Sequence, residues 1–358
     1  MDEAFWAGKR VLITGHTGFK GGWLAIWLQR LGAEVFGFSL PPSTVPSLFE
    51  LTCVGERMTS TLGDVTDLRS LQSAVNAARP QIVFHLAAQS VVRLSYDKPI
   101  ETYATNVIGT VNLLECVRTC GSVQAVIVVT SDKCYDNREW VWGYRESDAL
   151  GGRDPYSSSK ACAELVTAAY RHSFFSTDGS GISISVATVR AGNVIGGGDW
   201  TKDRLIPDVM RSVAATQPVR VRHPTAIRPW QHVVEPLAGY LALARHLYED
   251  GQEFAEAWNF GPAEGDTRPV SWIIERLAEE WGPGLRWTID DGAQPHEANV
   301  LKLDGAKAAQ RLGWRPRWDL TTALRMTARW YKAYLADEDM RTVTESQIDD
   351  YTRAAPGS

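Results

Sequence analysis

The run Lys9-Arg10-Val11-Leu12-Ile13-Thr14, followed at once by Gly15-His16-Thr17-Gly18-Phe19-Lys20-Gly21, constrains this chain more than any other segment. The first six residues read as a buried strand. Beyond the turn, Trp23, Leu24, Ile26, Trp27, Leu28 and Leu31 recur at helical spacing and stop at Gly32. Strand, glycine-rich turn and helix in that order build a phosphate cradle: backbone N–H groups and the positive end of the helix meet a dinucleotide's pyrophosphate. The spacing is G-x-x-G-x-x-G, not the G-x-G-x-x-G of the usual fingerprint. A turn whose glycines serve packing alone is the plainer alternative. The placement at the first strand of an alternating pattern favours a cofactor site, with Gly15, Thr17, Gly18, Phe19, Lys20 and Gly21 as its expected contacts.

Strands and helices alternate to about residue 190. The strand Gln81–Ala88 ends in Leu86, Ala87 and Ala88, where a nicotinamide ribose can lie close to the backbone. Thr105–Leu114, which includes Asn106, reads as a helix with an apolar face, and Asn106 is expected at the cofactor. The strand Ala125–Val129 places Ser131, Asp132 and Lys133 at its carboxyl end, the edge where open parallel sheets bind ligands. The fold expected is α/β: a doubly wound parallel sheet of the Rossmann kind with a smaller mixed α/β C-terminal substrate domain. The glycine-rich run Ala191–Trp200 marks a change of texture. The larger domain is expected over 1–190 plus about 231–262, and the smaller over 191–230 plus about 263–340. Residues 341–358 read as a polar, loosely held tail.

The second strand, Glu34–Phe38, runs into Ser39-Leu40-Pro41-Pro42 with no acid for a ribose 2′-hydroxyl and no arginine for a 2′-phosphate. Sequence chemistry therefore leaves NAD against NADP open. Asp64, beside Val65, can accept a hydrogen bond from an adenine amine. Its alternative role is a helix N-cap, a position Asp67 can fill instead.

Composition excludes some partners. No apolar run among the 358 residues approaches the roughly 18 needed to span a membrane. A formal charge of −5 argues against a general nucleic-acid binder, so an anionic substrate has to meet local arginines. Met1-Asp2-Glu3 begins no secretory signal, and five cysteines without C-x-x-C spacing suit a reducing compartment; a cytoplasmic location is expected. The seven histidines show no paired ligand spacing, so no metal is expected.

Tyr156 and Lys160 sit four residues apart, one turn of a helix, and face the same side. A free phenol has a pKa of about 10, so its phenolate is scarce at neutral pH. A neighbouring ammonium and a positively charged nicotinamide ring favour that phenolate, and Ser131 can hold the alcohol oxygen while Tyr156 takes its proton. Arg228, beside Trp230 and Gln231, suits a diphosphate clamp, though an ion pair at a domain interface would use it equally well. Asn193 and Arg204 are further expected diphosphate contacts. Ser90 and Arg93 are weaker candidates for touching substrate. Trp140, Trp142 and Tyr144 are read as core or rim before they are read as walls of a sugar pocket.

These residues together carry a resemblance through nearly the whole chain. Its motifs are Gly15–Gly21, His85-Leu86-Ala87-Ala88-Gln89, Ser131-Asp132-Lys133-Cys134-Tyr135, Asp154-Pro155-Tyr156-Ser157, Arg228-Pro229-Trp230-Gln231-His232 and Leu312-Gly313-Trp314. The sequence resembles the extended short-chain dehydrogenases/reductases and, within them, the CDP-glucose 4,6-dehydratases. The resemblance implies tightly held NAD, a homodimer and conversion of CDP-D-glucose to CDP-4-dehydro-6-deoxy-D-glucose and water. It also implies roles: Tyr156, Lys160 and Ser131 in C4 oxidation, Asp132 as the acid that protonates the departing C6 hydroxyl, and Lys133 at the C5 step. Lys133 serves as a base only if burial and neighbouring cations depress its pKa; otherwise it stabilises an enolate. An epimerase or reductase of nucleotide sugars, or a dinucleotide-sensing scaffold without turnover, is the competing reading.

Overall fold

The computed structural model describes residues 3–175, 183–282, 284–290, 292 and 299–355. Seven parallel strands form the central sheet: β1 (Arg10–Thr14), β2 (Glu34–Ser39), β3 (Thr59–Leu62), β4 (Ile82–His85), β5 (Ala125–Val129), β6 (Ser185–Ala191) and β11 (Ala257–Phe260). Their spatial order is β11-β6-β5-β4-β1-β2-β3. Chain direction across the sheet reverses between β1 and β4, and a ligand crevice opens outside the carboxyl ends of strands at such a point.

Both faces of the sheet are covered at its centre, which is why β4, β5 and most of β1 are continuous apolar runs rather than alternating ones, while the edge strand β3 is polar and exposed. Successive side chains still point to opposite sides. Val11 and Ile13 enter one core and Leu12 the other; Ile82 and Phe84 divide from Val83 in the same way. The first core is aromatic-rich, with Trp6, Trp23, Trp27, Trp258 and Trp330 almost wholly buried.

Helix starts follow side-chain caps. The Asp67 carboxylate accepts from the N–H groups of Arg69 and Ser70 and opens the helix Leu68–Ala78. Asp154 caps the helix Pro155–Phe174 through Ser157 N–H at 2.9 Å, with Pro155 in the first turn, and so fixes where Tyr156 emerges.

The remaining strands are short. β7 (Val194–Ile195) pairs with β10 (Gln231–His232), β8 (Val219–Val221) with β13 (Trp287–Ile289), and β9 (Ile227–Pro229) with β12 (Thr267–Pro269). Between β10 and β11 the helix Val234–Glu249 packs against β5 and β6, returning the chain to the main sheet.

The C-terminal segment departs from the loose polar tail expected over 341–358. Met340–Arg353 is a helix capped by Asp339, and it packs on the helix Phe19–Arg30. Met340, Thr344, Gln347, Ile348 and Tyr351 are its buried face, at helical spacing. Trp27 meets Tyr351 edge-on at 5.8 Å, and the Tyr351 hydroxyl donates to Glu235 at 2.8 Å. The stripe contains Thr and Gln where an apolar stripe was sought, so composition concealed it.

Candidate active site

The cradle is as tight as its glycines imply. Gly15 has φ +79°, and a Cβ there would lie 2.7 Å from the Ala87 nitrogen. One on Gly21 would lie 2.1 Å from the Gly15 carbonyl oxygen. Any side chain at either place therefore closes the turn or displaces the Leu86–Ala88 strand end. Thr17 Oγ1 donates to the Leu40 carbonyl at 2.8 Å and contacts Ser39 Oγ at 2.8 Å, tying the turn to the end of β2. Asp64 turns its own loop by accepting from Thr66 N–H at 2.9 Å, while the N-cap role falls to Asp67.

From this cradle a cavity of about 530 Å³ runs along the carboxyl ends of the strands to the loops that follow β6. The expected contacts Gly15 to Gly21, Asp64, Val65 and Leu86 to Ala88 line it, His16 excepted; so do Ser131 to Lys133, Tyr156 and Lys160, and Ser90, Asn193, Arg204 and Arg228. Asn106 is the correction. It lies in a π-helical turn, Ala104–Ile108, behind the wall. Its amide donates to Gln89 O and Ser159 Oγ and accepts from Gln89 N–H, so its hydrogen bonds are spent on protein. Asn106 joins the loop after Ala88 to the Tyr156 helix and does not line the cavity.

At the far end of the cradle four ionisable groups share one buried space. Asp132 is 2% exposed. Burial pushes its carboxyl pKa up, against the lowering fields of Lys133, Arg228 and Lys20 and a hydrogen bond from Ser131. The Ser131 hydroxyl donates to Asp132 Oδ1 at 3.0 Å, and Oδ2 is buried without a hydrogen-bond partner. The Lys160 ammonium donates to the Val129 carbonyl at 3.1 Å, and burial draws its pKa down to about 8. Burial holds the Tyr156 phenol up at about 12, with a hydrogen bond to Ser131 and the Arg204 charge opposing. In the protein's own field burial thus outweighs the lowering expected of Tyr156.

Lys20 shares the field of Asp132, Lys160 and Arg204, and its pKa falls to about 7, through burial first and then the Arg204 charge, with Asp132 opposing and Lys160 adding to the fall. Lys133 is half-buried, and its backbone N–H donates to Ser131 Oγ at 3.2 Å.

Comparison with known proteins places this geometry. Residues 12–327 match the family model of GDP-mannose 4,6 dehydratase. The chain belongs to that family. It is 53% identical over 355 residues to a CDP-glucose 4,6-dehydratase of Salmonella typhimurium, covering 99% of both chains. Among solved structures, UDP-glucose 4-epimerase of Thermotoga maritima superposes with TM-score 0.79 at 21% identity, over 91% of this chain and 99% of that one. MoeE5 in complex with UDP-glucose and NAD superposes with TM-score 0.76 at 25% identity, over 92% and 100%.

The cavity wall also holds Asp199, Asp203 and Arg222, which the sequence reading did not name. Arg204 donates to Asp199 Oδ2 at 2.9 Å and to Ser90 Oγ at 2.7 Å, so two expected contacts are joined across the cleft. Asp203 lies between Arg93, at 3.4 Å, and Arg222, at 3.1 Å. The signal available was Arg220-x-Arg222 beside Asp203-Arg204, hidden because its partners come from separate elements. Trp140 and Tyr144 pack with Tyr135 in a small core of their own, away from the cavity lining. Among the described residues no group of three metal-ligating side chains occurs, and no helix is long and apolar enough to cross a membrane.

Proposed function

We propose that this enzyme is an NAD-dependent lyase that converts CDP-D-glucose to CDP-4-dehydro-6-deoxy-D-glucose and water. The observation that carries the reading is Asp132. A buried carboxyl whose pKa burial raises, with one oxygen hydrogen-bonded to Ser131 and the other without a hydrogen-bond partner at the cavity wall, is suited to donate a proton. An epimerase needs no such acid, because it expels no hydroxyl. The 53% identity to the Salmonella enzyme along the whole chain supports the CDP-sugar as substrate.

The cradle residues Gly15, Gly18 and Gly21 suit the pyrophosphate of NAD, and the cavity-lining residues at and after the end of β2, Ser39, Leu40, Pro41, Ser43 and Thr44, carry no charge for a 2′-phosphate. NAD, when bound, accepts the hydride from C4 of the sugar and returns it to C6. Tyr156 takes the proton of the C4 hydroxyl, with Lys160 and Ser131 favouring its phenolate. The C4 ketone acidifies C5–H, and Lys133 attends that proton. Asp132 Oδ2 delivers its proton to the departing C6 hydroxyl, which leaves as water. The proton at C5 is then restored. Arg204 and Arg228, with Asn193 and Ser90, hold the diphosphate at the open end.

The working unit is a homodimer in the cytoplasm. Ile100 is 84%, Leu165 59% and Ile108 51% exposed, and they lie on mutually packed segments, the helices Pro99–Tyr103 and Pro155–Phe174 and the π turn Ala104–Ile108. A dimer through these helices covers them.

Incubation with CDP-glucose and no added reductant tests the function. A product lighter by one water, with the alkaline absorbance of a 4-keto sugar and no net NADH, is expected. Turnover of dTDP- or UDP-glucose in its place overturns the base assignment; C4 inversion without loss of water overturns the dehydratase.

A further inference from the structure

This inference rests on the dehydratase reading and names the side chain that reads the base of its substrate. In that reading the cavity has an order. Gly15, Gly21 and Asp64 take the cofactor at one end, the catalytic group follows at the strand ends, and Arg204 and Arg228 meet the diphosphate. Beyond these arginines the wall is made by the start of the helix Leu205–Ala214, by β8 on which that helix packs, and by Ala226 and Val270. The nucleoside has this part of the cavity to enter. Ile206, Pro207, Val219, Val221, Ala226 and Val270 make it an apolar slot.

Such a slot takes the flat faces of any pyrimidine and does not tell one from another. Discrimination needs a polar group at the ring edge. Cytosine and uracil share O2 and differ at N3 and at ring position 4, where cytosine carries an amine that donates and uracil a carbonyl that accepts. An ionised carboxylate only accepts. Facing position 4 it holds the amine of cytosine and repels the carbonyl of uracil or thymine.

Among the described residues five acidic side chains line the cavity, all of them aspartates. Four have other work. Asp64 turns its own loop at the cofactor end, and Asp132 is the proton donor. Asp199 spends one oxygen on Thr201 N–H and the other on Arg204. Asp203 lies between Arg93 and Arg222. Asp208 is left, partly buried in the first turn of the helix that walls the slot. Its Oδ1 accepts from Arg211, which does not line the cavity and also donates to the Trp200 carbonyl at 2.8 Å. Burial pushes the Asp208 pKa up and Arg211 pulls it back, which favours the accepting form. Among the described residues Oδ2 accepts no hydrogen bond.

We propose that Asp208 is the specificity residue for the nucleotide base: its Oδ2 accepts from the exocyclic amine of cytosine while the apolar slot holds the ring.

The test measures kcat/KM of NAD-loaded protein for CDP-glucose and UDP-glucose in wild type, Asp208→Asn and Arg211→Met. Wild type is expected to favour CDP-glucose. Asp208→Asn keeps the shape and presents an amide that donates to the uracil carbonyl, so the CDP-to-UDP ratio falls about 10- to 100-fold. The change sits in KM more than in kcat, because the base is remote from the reacting carbons. Arg211→Met keeps the acceptor and moves both substrates together. An Asp208→Asn ratio equal to that of wild type, whether both substrates fall or neither moves, makes Asp208 a support for Arg211 and overturns the assignment. Where the Asn variant does not fold, the substrate is changed instead: the diphosphoglucose of 2-pyrimidinone riboside keeps O2 and N3 but carries only hydrogen at position 4. Its KM with wild type is expected to be about 10-fold above that of CDP-glucose, and an equal KM overturns the assignment. A wild type that prefers UDP- or dTDP-glucose removes the cytosine reading before any variant is made, and no 4-keto product from any of the three removes the dehydratase; Asp208 falls with either.

Discussion

Two buried carboxylates near the end of β5 have opposite fates. Asp132 has one oxygen unpartnered, and its pKa is raised. Glu164, one helical turn beyond Lys160, accepts from Arg190 at 2.9 Å on both oxygens, from Thr130 at 2.5 Å and from Thr188 at 2.6 Å. Burial would raise Glu164 too, but the Arg190 pair and the two hydroxyls outweigh it, and its pKa is lowered. Arg190 continues to Tyr135 Oη at 2.7 Å, and Tyr135 to Asn259. Burial alone does not say what a charge is for. A carboxylate with every oxygen satisfied is scaffold, and one with an oxygen left over in a cavity is chemistry.

The largest effect separates the two. Asp132→Asn keeps the shape and removes the acid, so dehydration is expected to fall about 10²- to 10⁴-fold. C4 oxidation continues, and reduced nicotinamide accumulates on the enzyme where wild type shows none at steady state. Because a costly buried acid is replaced by a neutral amide, the thermal midpoint holds or rises. A large drop in that midpoint would make Asp132 scaffold and erase the distinction.

Arg190→Met makes the reverse prediction. It strands Glu164 as a buried charge, at a cost of about 3–5 kcal/mol. Denaturant unfolding reads this as an early midpoint, while the folded fraction at low temperature retains its pH profile. Full stability with lost turnover would move Glu164 and Arg190 into the catalytic group.

What was legible in the sequence follows the same division. The cradle was readable because backbone approach dictates glycine at fixed spacing, and Gly15 and Gly21 have no room for a Cβ. Ser131 to Lys133 and the Tyr156–Lys160 pair were readable because a strand end and a helical turn place them. The raised Asp132, the direction of Lys20 and the removal of Asn106 from the cavity were not readable. Each depends on which groups from distant segments close around it, as Ser159 and Gln89 do around Asn106. The C-terminal helix was missed for a related reason: its docking uses polar contacts, Tyr351 to Glu235, Gln347 to the Met326 carbonyl and Trp330 to Thr344, and no periodicity of apolar residues announces those.

Glu235 is an intermediate third case. Its Oε1 accepts from the N–H groups of Arg317 and Trp318, at 3.0 and 2.7 Å, and its Oε2 accepts from Tyr351 Oη, yet burial still pushes its pKa up to about 7. The folded state therefore binds a proton that the unfolded chain, titrating near the ordinary 4.5, releases first. Stability from this group is full below pH 4.5 and is lost as pH rises from there through 7. Glu235→Gln keeps one oxygen for the Arg317 and Trp318 N–H groups, reverses the Tyr351 bond so that the amide donates to Tyr351 Oη, and removes the titration. Relative to wild type it is expected to gain about 1–3 kcal/mol between pH 5 and pH 8 in denaturant unfolding. No change with pH would place Glu235 with the fully satisfied Glu164.

The smallest effect is a displaced limb of the pH–rate profile. Asp132 works in its protonated form, so kcat falls as pH rises through its pKa in the loaded enzyme. Among the charges that lower that pKa, Lys133 is the largest, ahead of Arg228 and Lys20. Lys133→Met removes a nearby cation, the neutral carboxyl persists to higher pH, and the alkaline limb moves upward. Whatever Lys133 contributes at C5 lowers the height of the profile but does not displace that limb. A fall in height with an unmoved limb confines Lys133 to the C5 proton. A limb displaced upward shows that it also sets the acid strength of Asp132, and the free oxygen that separates Asp132 from Glu164 is then tuned by its immediate neighbour in sequence.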